Sequence, residues 1–461
     1  MTTMTSKDPK PSKTSEGYAQ SGITNRPPEH LLLAALRFAD PTPAAARAAL
    51  DGLAGVVRRE LASELDDRNG PADKDRPSAE TGELGFTDGY DRAHLTVTLG
   101  ISASGMDALA VAADERPADL RPIPWEALGD NPAIRDSGDL LLHVCSDDIY
   151  VAEHVVRRVE EELGGALAVV WTQLGAQRYT SRPGRTSRRE GRALIGFLDG
   201  TSNLNPRNSE ADRELVFVDP AKVGSYPPNP TPQPGGGGPY PGVGPNFPVD
   251  LAPVPTAEPA WTKNGTYMTV RVSTFDTTPW DDRTQNEQER SVGRFKVSGA
   301  SLDLADDPSL TEAEPAFTAD QNNVTVPLDS HVRKSHPRRS PEDQLRRVFR
   351  RGYPVIGGAA GGMQRGLAFI GFARTTSTQF EFIFRGWLRN PDFPQPGTGL
   401  DKLLFGTLPE TVLCGGYYFV PPLRHRTQPW TWLLPDVPAT AEAADGAPSG
   451  AAPTETTTPA A

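Results

Sequence analysis

Two segments of the chain gather side chains that could do chemistry. Residues 193–206, ALIGFLDGTSNLNP, bring an apolar run up to a carboxylate, Asp199, set among glycines. Asp-Gly alone would read as a hairpin turn. The longer pattern GFxDGTxN is much rarer, and a carboxylate presented in this way can serve as general acid or base. Residues 331–351, HVRKSHPRRSPEDQLRRVFRR, carry eight Lys and Arg side chains against only Glu342 and Asp343, and include His331 and His336. In a chain of net charge −12 such a run calls for an anion: a phosphate, a nucleic acid or the carboxylates of a cofactor. The overall acidity weighs against nucleic acid, whose binding is driven by clustered cations. The other histidines, His30, His94, His143, His154 and His425, lie in apolar strands, on an amphipathic helix or in a basic surface segment, and read as structural.

These side chains need a scaffold, and the apolar periodicity supplies one. In the first half, 30–38, 94–102, 140–145 and 166–174 read as strands, and 43–65 and 150–163 as helices. The order strand, helix, strand, strand, helix, strand is the split βαβ signature of a ferredoxin-like layer. A second copy follows: strands at 265–275, 366–372 and 411–420, a polar helix at 281–293, and a helical stripe of Phe380, Ile383, Phe384, Trp387 and Leu388. The fold class is therefore α+β, with two ferredoxin-like domains at 26–190 and 191–435 and the long insertions in the second.

The chain has 461 residues, of which 46 are Pro and 44 Gly. This excess gathers at the ends and at 227–258, where 11 Pro and 6 Gly preclude regular helix or central strand. That segment reads as a solvent-exposed insertion, and 1–25 and 436–461 as disordered tails too poor in large apolar residues to repay ordering. Cys145 and Cys414 sit in apolar runs without CxxC or CxxCH spacing, so they read as buried, reduced thiols. Neither a Sec nor a Tat signal nor an apolar run of membrane length is visible, which points to a cytoplasmic protein without a membrane partner.

Taken in order, GFLDGTSN with Asp199, HVRKSHPR with His331, FRRGYP with Arg350, GLAFIGF, and NPDFPQPGTGLDKLLFG with Asp401 resemble the dye-decolorising (DyP-type) haem peroxidases. The similarity runs from about residue 28 to 422 and includes LTVTLG, RPADLRPIP, GDLLLHVCSDD and WTQLG in the first half. The resemblance implies two ferredoxin-like domains in a dimeric α+β-barrel-like arrangement, with one haem b per chain bound mainly by the C-terminal domain. It implies that His331 is the proximal iron ligand, Asp199 the distal acid/base and Arg350 the distal cation, while Asp401 accepts the second N–H of His331. Arg333, Gly200, Thr201, Leu367 and Phe369 would line the cofactor.

The implied activity is oxidation of dyes, phenols or similar organic donors by hydrogen peroxide. A homo-oligomer is compatible with it, and haem binding or iron handling without turnover is the alternative. Peroxide must lose a proton from one oxygen and regain it on the other as water leaves, which a single positioned base can accomplish. An aspartate, with its ordinary value near 3.9, stays basic where imidazole is protonated, so an acidic optimum is expected. Trp387, Tyr353, Tyr417 and Tyr418 are candidate electron relays to bulky donors.

Overall fold

Alternating apolar residues build four main strands in each half of the chain. The computed structural model describes residues 17–62, 93–177, 179–180, 190–230, 247, 250–317, 324–359, 362–425, 432 and 434–435. A short helix, α1 (Ser21–Thr24), precedes β1 (His30–Phe38), α2 (Pro43–Ala62), β2 (Thr96–Ile101), β3 (Leu140–Ser146), α3 (Ile149–Leu163) and β4 (Leu167–Ala176). The second half contributes β5 (Thr266–Phe275), α4 (Gln285–Val292), α5 (His331–Ser335), β6 (Tyr353–Ala359), β7 (Gly362–Ala373) and β8 (Glu410–Val420).

The strands run in the order β4-β1-β3-β2-β8-β5-β7-β6, antiparallel throughout. Each half thus has the same fourth-first-third-second order of a ferredoxin-like layer, and the halves join where Phe419 of β8 faces Ile101 of β2. The sheet curls until its edges meet. A Cβ on Gly175 of β4 would stand 2.8 Å from that of Tyr353 in β6, and Gln177 donates to the Gly352 carbonyl.

Side-chain alternation then sorts the core into layers. Leu31, Leu33, Leu141, Met268, Val270, Ile370, Phe372 and Tyr418 fill the barrel interior, with Cys145 and Cys414 as buried free thiols. Leu32, Leu36, Leu99, Leu142 and Val144 face outward under α2 and α3. In the C-terminal half the outer face is covered by residues 376–388, which form two π-helical segments, Thr376–Phe380 and Phe382–Leu388. Wider turns with i→i+5 bonding split the expected stripe. Phe380, Phe384 and Leu388 pack toward the sheet, whereas Phe382 and Trp387, five residues apart, meet edge-on with centroids 5.4 Å apart on the other side. Tyr353, Tyr417, Tyr418 and Trp387 are all buried, so among the relay candidates none presents its ring at the surface.

Three expectations are corrected. The second copy contains a strand the sequence reading omits, β6, which among the described strands pairs with β7 and places Pro354 opposite Leu367. The polar helix at 281–293 is two shorter pieces. Thr278–Asp281 ends before Thr284 caps α4 in a reciprocal capping box with Glu287. Residues 17–25 are ordered rather than a tail: Tyr18 pairs with Leu423, and the buried Gln20 amide exchanges hydrogen bonds with Leu99 and donates to Pro421. Residues 1–16, 63–65 and 436–461, named above as tail and helix end, lie outside the described residues, as does 231–246 of the insertion.

The described ends of the Pro/Gly-rich insertion are a partly exposed strap over the π-helical segments. Phe247 packs on Phe382 with centroids 5.8 Å apart, Asp250 pairs with Arg385, and Asn229 donates to the carbonyls of Ala252 (3.1 Å) and Ser377 (3.4 Å). The strap ends at the buried Glu258, which accepts from Tyr267 Oη at 2.6 Å and from the Ala118 amide at 3.1 Å. Burial pushes the Glu258 carboxyl up to about 7, with the two donors opposing and Asp119 adding to the rise.

A carboxyl that holds its proton more tightly folded than unfolded contributes stability at acid pH. That contribution is complete below the ordinary value of 4.5 and is lost as the pH rises through about 7. Thermal unfolding midpoints measured across this range are expected to fall more steeply in the natural protein than in Glu258→Gln; equal slopes would show that Glu258 does not titrate there. No helix among the described residues is long and apolar enough to cross a membrane.

Candidate active site

The segment GFLDGTSN folds as a sequence of small devices that end on Asp199. Gly196, at φ +90°, closes a turn in which the Ala193 amide donates to Phe197 O at 3.0 Å. Phe197 is buried against Trp280. The Asp199 amide is held by Gly191 O (3.0 Å), and its Oδ1 accepts from the amide of Gly200 (2.7 Å), which turns the chain at φ +75°. Thr201 follows, and its carbonyl accepts from Arg350 Nη2 at 2.9 Å.

Arg350 reaches this point because of strand alternation. Phe349 and Arg350 pair with Phe372 and Gly371 of β7, so Arg350 and Arg351 point to opposite faces. Arg351 is buried and donates to Asn25 Oδ1 (2.9 Å) and to the carbonyls of Ile23 and Asn25. Arg350 turns to the outer face, where Leu367 and Phe369 of β7 also lie. Gly371 opposite it leaves that face clear: a Cβ there would stand 2.8 Å from Val348 and 3.1 Å from the Phe369 ring. Phe369 continues onto Phe380, with centroids 5.5 Å apart. Arg350, Leu367 and Phe369 therefore share the layer between sheet and helices.

Asp199 and Arg350 are accessible to solvent yet lie deep among protein atoms, so they line a recess rather than the outer surface. Burial raises the Asp199 carboxyl from its ordinary range, while the Arg350 charge and the Gly200 amide oppose the rise. Burial likewise lowers the Arg350 guanidinium, offset in part by Asp199. Around them stand Arg294, pulled down to about 10 by burial and by its cationic neighbours, and Arg347, which donates to Ser202 O at 2.9 Å. Arg338 is paired with Glu314 at 2.6 Å.

The other chemical segment opens α5. His331 is its first residue, and Nδ1 lies 2.9 Å from Oδ2 of the fully buried Asp401. Asp401 is itself pinned: Oδ1 accepts from the Leu404 amide and its own amide donates to Leu388 O, each at 2.9 Å. With Nδ1–H donating to the carboxylate, Nε2 of the half-buried His331 carries the lone pair and can ligate. The end of the segment is packed back into the basic cluster. His336 Nε2 meets Gln344 Oε1 at 3.0 Å, and burial together with Arg338 and Arg347 drives that ring down to about 2, so it stays neutral.

The structure therefore brings Asp199, Gly200, Thr201 and Arg350 together, and His331 with Asp401. It sends Arg333 elsewhere: its guanidinium donates to Val326 O at 3.1 Å and lies over Phe317. Sequence reasoning did not single out Asn203, whose side chain grips the Arg350 backbone at both N–H and C=O. Arg294 and Arg347, which hold the adjacent Ser202, were missed as site residues too. The Asn of the GFxDGTxN pattern was the available signal for the first.

Comparison with known proteins bears on the family and the fold. The family model described as the N-terminal part of Dyp-type peroxidases matches residues 20–177, and the C-terminal one matches 249–425. Among solved structures, a DyP-type peroxidase from Cellulomonas bogoriensis is 25% identical, with TM-score 0.61 over 88% of this chain and 93% of that one. DtpA from Streptomyces lividans shares the fold at 22% identity and TM-score 0.61, over 89% of this chain and 94% of its own. A curated relative, the Deferrochelatase of Shigella flexneri serotype 5b, is 26% identical over 64% of this chain, and the match spans only 60% of that protein's length. Because both halves of one family's domain pair match in order, and the barrel is the one that DyP-type peroxidases adopt, the chain belongs to the Dyp-type peroxidase family.

Proposed function

We propose that the protein is a haem b peroxidase, binding one haem per chain mainly through its C-terminal half and using hydrogen peroxide to oxidise dyes, phenols or similar organic donors. The observation that carries this reading is that the Arg350 guanidinium is fastened to the Asp199 turn, on the Thr201 carbonyl at 2.9 Å, and acts electrostatically on the Asp199 carboxyl, together with a histidine whose Nδ1 faces a buried carboxylate.

The residues present fit the cofactor. His331 Nε2 would be the ligand, Asp401 would sharpen its basicity, and the guanidinium groups gathered at Arg294, Arg347 and Arg350 would suit the cofactor's carboxylates. When bound, haem would supply the redox centre that peroxide oxidises and the donor reduces. Asp199 takes the proton from one peroxide oxygen and returns it to the other as the O–O bond breaks and water leaves. Arg350 presents a fixed positive charge where negative charge gathers on the departing oxygen. Leu367 and Phe369 keep the recess narrow, so peroxide enters and bulky donors stay outside.

Asp199 acts as a base only when ionised. Since burial lifts its carboxyl, the peroxide reaction loses rate as pH falls through a value above that of an ordinary aspartate. Haem-loaded protein mixed with equimolar peroxide and a phenolic donor is expected to consume both, with an acid limb that disappears in Asp199→Asn. Haem binding without peroxide consumption would instead support the haem-handling alternative that the Deferrochelatase relatives bring to mind. The Asp199–Arg350 pair argues against that alternative, because ligation alone requires only His331.

A further inference from the structure

We propose that Asn203 is a positioning residue for the peroxide reaction, fixing the backbone of Arg350 so that the guanidinium stays opposite Asp199. The proposal rests on the peroxidase reading, yet its geometry stands by itself. Phe349–Arg350 is a two-residue strand paired with β7 on one side only. On its other side the N–H and C=O of Arg350 would be bare. The Asn203 side chain stands in for the missing strand: Nδ2 donates to Arg350 O at 2.7 Å, and Oδ1 accepts from Arg350 N at 3.0 Å. Thr201 O adds a third bond, to the guanidinium itself, at 2.9 Å. One short turn therefore grips both the main chain and the charged end of the same arginine.

The turn is held rigidly enough to do this. Ser202, between those two contacts, has φ +51°, a conformation that a residue with a side chain adopts only when its surroundings impose it. Three partners impose it here: Arg294 donates to Ser202 Oγ at 2.9 Å, Arg347 donates to Ser202 O at 2.9 Å, and the Ser202 amide donates to Glu312 at 3.0 Å. Arg347 and Glu312 also act electrostatically on Arg350, and Arg294 and Arg350 repel one another. A change at Asn203 thus frees Arg350 without removing any group that touches peroxide.

The consequence reads out on Asp199, whose carboxyl Arg350 holds down against burial. In ligand-free protein carrying carboxyl-labelled aspartate, the Asp199 titration midpoint is followed by carbon NMR and assigned by its absence in Asp199→Asn. Asn203→Ala is expected to raise that midpoint, Arg350→Leu to raise it as well, and the double variant to go no further than Arg350→Leu alone. In the haem-loaded protein Asn203→Ala is expected to slow peroxide consumption by roughly 10- to 100-fold with the KM for the donor unchanged. An Asp199 midpoint that stays at the natural value in a folded Asn203→Ala protein would overturn the proposal. Should that variant fail to fold, Asn203→Ser, which keeps one hydrogen-bonding group of the two, is put to the same comparison. If the haem-loaded natural protein fails to consume peroxide the peroxidase reading falls, whereas the ligand-free titration still decides the role of Asn203.

Discussion

Asp199→Ala is expected to slow the reaction of the haem-loaded protein with hydrogen peroxide by about 10²- to 10⁴-fold, the range that a positioned acid/base supplies. The argument is geometric before it is electrostatic. Asp199 stands at the end of a turn fixed by Gly191, Gly196 and Gly200, where the Arg350 charge acts on its carboxyl. Arg350→Leu removes a charge from the place where the departing oxygen needs one, an effect of about 10²- to 10³-fold. The two losses should combine to less than their product, because each group acts on the same bond-breaking event.

Stability separates this from damage to the fold. Burial makes the ionised Asp199 carboxyl costly to the folded state even with Arg350 beside it. A neutral isostere, Asp199→Asn, should therefore unfold at a temperature no lower than the natural protein at neutral pH. Stopped-flow decay of peroxide gives the rates and thermal scans give the control. A rate within a few-fold of the natural protein in a folded Asp199→Ala variant would remove Asp199 from the chemistry.

Much of this site was legible because its residues lie in short, unusual strings. GFxDGTxN could be distinguished from a simple turn, and an arginine-rich run in an acidic chain required an explanation. What stayed hidden was the work done through the backbone. Asn203 bonds to the peptide of a residue 147 positions away, and nothing in composition or periodicity registers such a contact. Arg350 and Arg351 are neighbours of one type in the sequence, and only the pairing of Gly371 with Arg350 turns one arginine outward and the other into the barrel end.

The fold shows the same division. Strands covered on both faces, such as β3, announced themselves as continuous apolar runs. β6 did not, because Pro354 and the glycines after it read as a loop. An edge strand tolerates proline where a central one cannot, and among the described strands β6 pairs with β7. Polar content misled at residues 17–25. Low hydrophobicity argues for disorder only if the polar groups lack partners inside the protein, and Gln20 has three. The described ends of the 227–258 insertion depart from a free loop for a related reason: one buried phenylalanine, Phe247, and an ion pair to Arg385 hold them to the fold despite a proline-rich average.

His331→Ala is expected to lower haem affinity by at least about 100-fold, beyond what loss of an orienting partner alone would cost, and to change the Soret spectrum of whatever haem remains. The histidine's other nitrogen is committed to a carboxylate that cannot swing away. Asp401 is fully buried, and the Leu404 amide and Leu388 carbonyl hold it at side chain and main chain. Asp401→Asn keeps the shape and removes the charge, so the ring loses its orienting acceptor while Nε2 stays in place. Affinity in that variant should fall by only about 10- to 100-fold, and the reduction potential of the bound haem should rise, because a less basic imidazole stabilises the ferric state less. The order of the two variants is the test. Haem titration followed at the Soret band and potentiometry on the loaded protein would measure both. If Asp401→Asn bound haem more weakly than His331→Ala, or if His331→Ala kept the natural spectrum, the iron would be held by another residue.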